Sequence, residues 1–264
     1  MTLTRSPGPL AGNDGHQTNY RIDGPAHQLL MHPFPRRVRA ELAGETVLDT
    51  RGGVLLHETG LAPQLYVPEA DVRADLLERS QLNTYCPFKG QASYYSVRVG
   101  DRLERDAVWY YPSPIDTAPW LKGYLALYWT RMDRWLDEDD EVVGHLPDPY
   151  HRVDIRATGR RVRVLAGDPA DNVVLAESSD ALLLSETGLP NRYYLPAADI
   201  RAELVHTDTR TVCPYKGWAT YWTLRLGDRE IVDAAWSYEQ PLPESARITG
   251  HRSFDHDDLV VEVD

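Results

Sequence analysis

One stretch occurs twice in this chain: TYCPFKGQASYYSVRVGDRLERDAVWYY from Thr84 to Tyr111, and TVCPYKGWATYWTLRLGDREIVDAAWSY from Thr211 to Tyr238. Roughly half of the aligned positions are identical, which identifies an internal duplication. The flanks repeat as well. RVRAELAG is answered by RVRVLAG, and HETGLAPQLYVPEADVRADL by SETGLPNRYYLPAADIRAEL. A duplication of this extent restricts the chain to two copies of one fold, and 264 residues suit two domains of ordinary size. The offset between copies is 128 at the ETG motif and 127 at the cysteine motif, so one residue is missing from the second copy between them.

Within a copy, strands dominate. Val38, Ala40 and Leu42 alternate with polar neighbours, the period of a half-buried strand. ETVLDT, GGVLLHETG and QLYVP are further short β-rich runs punctuated by Gly and Pro. Val72, Leu76 and Leu77 fall at helical spacing, which predicts one short helix per copy. Pro87 cannot donate to a ladder and Gly90 permits a left-handed turn, so Cys86 to Gly90 reads as a tight loop. QASYYSVRV then alternates into a Gly100-Asp101 hairpin turn and returns through RLERDAVWYY. The fold class is mostly β: two tandem repeats of a small, twisted-sheet domain. Residues 1–35, rich in Gly, Pro, Asn, Gln and His, read as an N-terminal arm, ordered where His32 to Pro35 meets the body. An acidic shift after Arg131 places a boundary near Gly144 to Tyr150, giving repeats at 36–146 and 147–264.

Composition narrows the partners. A net charge of −12 gives phosphate backbones no general electrostatic support, so no nucleic-acid partner is expected. The apolar runs are only a few residues long, far short of a membrane span. The N-terminus lacks the apolar centre of a signal peptide, and a cytoplasmic location is the expectation. Two cysteines at equivalent places read as two separate thiols, and with scattered histidines they give no zinc spacing. No metal or cofactor is expected.

The candidate chemistry gathers around the repeated turn. An ammonium three residues from a thiol lowers its pKa, so Cys86 with Lys89, and Cys213 with Lys216, are candidates for reactivity or for gripping a ligand oxygen. No histidine recurs at a fixed position beside both cysteines, which leaves a Cys–His pair unsupported. Tyr94, Trp109 and Tyr111 correspond to Tyr221, Trp236 and Tyr238, and the second copy adds Trp218 and Trp222. Aromatics at period two wall a pocket or fill a core. Glu58 and Glu186 open the ETG motif and can pair with the lysines. Arg192, before Tyr193 and Tyr194, has only Gln64 as its counterpart, so the second copy holds the fuller site. The tail HRSFDHDD, with His251, Asp255, His256 and Asp257, reads as a solvated strand end.

ETGLPNRYYLP at Glu186 to Pro196, T-x-C-P-Y-K-G at Thr211 to Gly217, and the following A-x-Y and A-x-W-x-Y resemble a bacterial family catalogued as domain of unknown function 427, in tandem form. The resemblance covers nearly everything after residue 35. It implies a mostly-β fold similar to the tent-shaped sheets of methionine sulfoxide reductase B and its zinc-binding relatives. Where those relatives have a Cys-x-x-Cys turn, this chain has Cys-Pro-x-Lys, which sets an ammonium in place of a thiolate and argues for an anionic or carbonyl ligand rather than zinc. A nucleotidyltransferase label attaches to the family, yet no Gly-Ser motif with paired aspartates is present. The expectation is a pocket for a small anionic or carbonyl metabolite, with Lys216 and Arg192 holding the charge, aromatics packing the body, and Cys213 or Glu186 supplying any chemistry. A non-catalytic interaction module and a thiol redox protein are the alternative readings.

Overall fold

The computed structural model describes residues 19, 24–166 and 173–264. The chain divides into two compact units, the first ending at Tyr150 and the second beginning at His151. The first contains β1 (Leu29–Pro33), β2 (Val38–Leu42), β3 (Glu45–Thr50), β4 (Val54–Glu58), β5 (Gln64–Pro68), β6 (Leu77–Cys86), β7 (Gly90–Val99), β8 (Arg102–Pro114), β9 (Tyr124–Leu127), β10 (Arg134–Asp137) and β11 (Asp140–Glu141). They form an antiparallel seven-stranded sheet, β1-β4-β5-β9-β8-β7-β6, and a smaller sheet, β11-β10-β2-β3.

The second unit contains β12 (Val153–Thr158), β13 (Val162–Ala166), β14 (Val174–Ser178), β15 (Ala181–Glu186), β16 (Arg192–Pro196), β17 (Glu203–Cys213), β18 (Gly217–Leu226), β19 (Arg229–Ser237), β20 (His251–Phe254) and β21 (Leu259–Val263). Its sheets run β12-β15-β16-β20-β19-β18-β17 and β14-β13-β21. The order is the same as in the first unit, apart from the two-residue β11. The duplicated sequence therefore folds into duplicated topology, mostly β throughout.

Strand alternation gives the large sheet two apolar faces. One face packs the small sheet: Leu55, Leu65 and Val67 meet Val38, Ala40 and Leu42 in the first unit. Leu195 and Leu224 meet Val162 and Val164 in the second. Each such buried leucine or valine contributes about 1.5–3 kcal/mol relative to exposure. The other face carries an aromatic cluster, Leu56 with Tyr66, Tyr94 and Tyr111, and Leu184 with Tyr194, Ala219 and Tyr238.

Two expectations change. The N-terminal arm is not separate from the first domain where it is described, because Leu29–Pro33 is β1, paired along its length with β4, and Phe34 is buried in the core. Prolines at 33 and 35 interrupt the alternation that would have marked this strand. Residues 1–18 and 20–23 of that arm lie outside the described residues. The predicted helix is two 3₁₀ turns, Glu69–Asp71 and Ala74–Leu76, with Val72 bridged to Leu48 between them and Leu77 already in β6. β-Bridging at Val72 leaves no room for a continuous helical ladder.

The missing residue of the second copy is located by the same comparison. The Glu69–Asp71 turn corresponds to Ala197–Asp199 at an offset of 128, whereas Leu77 and Leu204 occupy the same register at an offset of 127. The loss falls in the second 3₁₀ turn, where it disturbs no ladder.

Gly217 (φ +97°) and Gly90 (φ +103°) end the Cys-Pro-x-Lys turn in a backbone region that L-residues rarely adopt. A Cβ at Gly90 would meet Ile115 N and Ser113 O at 3.3 Å. We expect Gly90→Ala to destabilise the first unit by about 1–3 kcal/mol in urea unfolding, through backbone strain and this contact.

Candidate functional site

The aromatic face of the large sheet carries a charged cluster in each unit. Period two sets Leu182, Leu184 and Glu186 on one face of β15, so Glu186 emerges beside the aromatics at the strand's end. Lys216 approaches from the Cys213–Gly217 turn. Its amide donates to Cys213 O at 3.3 Å, and Leu242 N donates to Lys216 O at 3.1 Å, which fixes the direction of its side chain. The ammonium then reaches Glu186 Oε2 at 2.5 Å. His151 Nε2 lies 2.9 Å from Glu186 Oε1, and its ring stacks on Tyr215 with centroids 4.0 Å apart.

The first unit repeats this atom for atom. His27 Nε2 is 2.9 Å from Glu58 Oε1, Lys89 is paired with Glu58 Oε2, and His27 stacks on Phe88 at 3.6 Å. Several motif letters thereby acquire a cause. The aromatic of Cys-Pro-x-Lys is a platform for the histidine. The ETG threonine ties down the histidine's neighbour, with Arg152 N donating to Thr187 Oγ1 at 2.8 Å and Gln28 N to Thr59 Oγ1 at 2.9 Å. The T-x-C-P threonine bonds the A-x-Y tyrosine: Thr211 Oγ1 lies 3.0 Å from Tyr221 Oη, and Thr84 Oγ1 2.8 Å from Tyr94 Oη.

Burial alone would raise the pKa of Glu186. The His151 hydrogen bond and the charge and hydrogen bond of Lys216 outweigh it and hold the carboxyl down to about 2. A carboxylate so placed is a poor proton acceptor at neutral pH, because general bases work best with a pKa near the operating pH.

In the second unit the cluster opens into a cavity of about 350 Å³. Glu186, Lys216, Arg192, Asp233 and Asp255 line it, with Tyr194, Tyr221, Trp236 and Tyr238 as aromatic walls and Leu184, Leu189 and Pro190 beside them. Trp236 Nε1 donates to Tyr194 Oη at 3.0 Å, and burial pushes the Tyr194 and Tyr238 hydroxyls well above their ordinary range. Arg192 pairs with Asp255 at 2.6 Å and lies 5.7 Å from the Trp236 ring centroid.

Of the residues singled out from sequence, Glu186, Lys216, Arg192, Tyr194, Tyr221, Trp236 and Tyr238 converge here. Cys213 is a half-buried free thiol packed behind the aromatic cluster, outside the cavity lining. Trp218 does not join them. Ala219 and Tyr221 take the pocket face of β18, so alternation turns Trp218 to the opposite one, with Arg210 5.6 Å from its ring. In the first unit Lys89 and Trp109 keep their counterparts' roles, Trp109 Nε1 donating to Tyr66 Oη at 3.2 Å, and Cys86 packs as Cys213 does. The rim differs: Gln64 replaces Arg192, and Tyr128 replaces Asp255 and packs on Trp109 with centroids 4.5 Å apart.

Four contributors escape a reading of the sequence. His27 and His151 do recur, but at an offset of 124, and they serve the glutamates rather than the cysteines. Asp255 is the solvated strand end that was expected, and it also pairs with Arg192 at the cavity rim. Asp233 shares with Asp106 the pattern Asp-Ala-x-Trp, which the duplicated stretch displays openly.

Lys216→Met leaves the Glu186 charge buried with one partner fewer. We expect it to destabilise the second unit by about 3–5 kcal/mol at pH 7. That deficit shrinks as the pH falls and the stranded carboxylate takes a proton. The wild type behaves oppositely. Glu186 has a folded pKa near 2 against an ordinary 4.5, so its contribution is complete above pH 4.5 and is lost as the pH falls towards 2. Urea unfolding of both proteins between pH 2 and 7 measures the crossing trends.

Among the described residues, no group of three or more His, Cys, Asp and Glu side chains is placed to hold a metal ion. No helix among them is long and apolar enough to cross a membrane. No curated protein matches the chain. A family model described as a domain of unknown function (DUF427) matches it twice, over residues 30–138 and 154–264, each match falling within one of the two units. The chain is a tandem member of the DUF427 family.

Proposed function

We propose that the second repeat binds a small oxygen-bearing metabolite, uncharged or singly charged, whose oxygen accepts from Lys216. The observation that carries this is the state of the ammonium. Lys216 is 7% exposed and lines the cavity, and it spends one of its three N–H donors on Glu186. The other two are unspent beside a site with aromatic walls, and unspent buried donors favour a ligand acceptor over an apolar group.

Lining charge selects among ligands. Three carboxylates and two cations surround the cavity, and both cations are already paired. A carbonyl or hydroxyl oxygen fits this balance better than a multiply charged anion, and a nucleoside triphosphate fits it least. Glu186, held near pKa 2, acts as an orienting anion for Lys216 and His151 rather than as a proton carrier. The reading is therefore binding rather than turnover, centred on the second repeat because only there do Arg192 and Asp255 complete the rim.

Thermal unfolding in the presence of acetone, sodium benzoate, simple sugars and ATP tests this. A ligand at a hundred times its Kd stabilises the native state by about 2.7 kcal/mol. We expect an uncharged or singly charged compound to raise the melting temperature of the wild type and to leave Lys216→Ala unmoved. Trp236→Ala, which keeps the ion pair and removes a wall, should bind at least tenfold more weakly. A larger shift from ATP than from every uncharged compound would overturn the proposal.

A further inference from the structure

One residue of the cavity lining, Asp233, enters that reading only through its charge, yet its backbone is costly. It sits in β19 with φ +54°, the left-handed region that a non-glycine residue adopts at some strain. The ladder is irregular around it, with a register shift between Trp222 and Leu224 on the β18–β19 pair and another between His206 and Arg210 on β17–β18. Two hydroxyls aim its carboxylate. Thr207 Oγ1 donates to one oxygen and Thr209 Oγ1 to the other, both at 2.7 Å.

The first unit has the same kink. Asp106 has φ +52°, β7–β8 shifts register between Tyr95 and Val97, β6–β7 shifts between Arg79 and Asn83, and Ser80 donates to the Asp106 carboxylate. Glycine would adopt this conformation without strain, and both copies carry aspartate instead. The carboxylate is what the position supplies.

The cavity consequently presents donors and acceptors at once. Lys216 has unspent N–H groups, and each oxygen of Asp233 and Glu186 holds one hydrogen bond with lone-pair capacity to spare. Trp236 and the tyrosines supply flat apolar walls. A plain carbonyl compound would use the Lys216 donors and offer nothing to the carboxylates' spare lone pairs. An organic cation would satisfy the carboxylates and meet Lys216 and Arg192. A hydroxyl group donates and accepts, and a ring bearing several of them also has an apolar face.

We infer that the ligand is a neutral polyhydroxylated ring of the monosaccharide class, and that Asp233 is its specificity-determining residue, accepting a ring hydroxyl. This rests on the pocket reading proposed above. A volume of about 350 Å³ fits one such ring, lying near the lower end of the roughly 300–1,000 Å³ typical of ligand sites.

Isothermal titration of the full chain with glucose, galactose, ribose and myo-inositol, and in parallel with benzoate and acetone, separates the outcomes. We expect saturable binding of at least one polyhydroxylated ring. Asp233→Asn should weaken it tenfold or more, and Asp106→Asn should leave it unchanged. Asp233→Asn keeps an acceptor for a threonine hydroxyl and tolerates the left-handed backbone, so it should melt close to the wild type and still lose binding. A purely structural Asp233 would give the reverse, reduced melting with affinity retained, and would overturn its assignment. Binding of benzoate or acetone with no binding of any ring would overturn the monosaccharide class and leave the pocket reading standing. Heat from none of the six would overturn both.

Discussion

A carboxylate with a different partner on each oxygen lies at the centre of both units. Glu58 and Glu186 each face an ammonium from one side and an imidazole from the other, at the end of a strand whose remaining inward residues are apolar. Taking two charges out of water is expensive, and their attraction repays it only when the geometry is good and spare valences are filled. Here the histidine fills the second oxygen and the aromatic of the Cys-Pro-x-Lys turn covers the histidine. Three segments distant in sequence are thereby pinned to one point: the chain entering the first strand, the ETG strand end and the cysteine turn.

The seven-stranded sheet uses its two faces differently. Leucine, valine and alanine form most of the buried core against the small sheet, while buried tyrosines with Trp109 and Trp236 are added to leucine and alanine on the face around the glutamate. The duplication preserves the inner parts of that second face in both units, including the Trp–Tyr hydrogen bond and the strained aspartate. The rim differs: an Arg–Asp pair in the second unit is replaced by a Gln and a Tyr in the first. These rim differences leave the Glu–Lys pair beneath them the same in both units.

Much of this was legible from residues alone. The repeat announced two domains, alternation announced strands, and Pro87 and Gly90 announced the turn that aims the lysine. Alternation put some of the aromatics on one side of the sheet together, without deciding between a pocket wall and a core. The same rule, applied consistently, would have excluded Trp218, one residue from Ala219. The helix expected after Pro68 failed because three apolar residues at helical spacing cannot outweigh the pairing of Val72 with another strand.

The sequence by itself determined the duplication, the β class and the turn, because these follow from local preferences and from period-two patterning. Only the tertiary structure decided which partners the glutamates take. His27 and His151 are 31 and 35 residues from their carboxylates, with no spacing rule to link them. It also decided that Asp255 pairs with Arg192 at the rim and that Asp233, at a left-handed position of its strand, joins the cavity lining. Those outcomes depend on which sheet neighbours the chain brings together, and sheet order is a property of the whole fold rather than of any one segment.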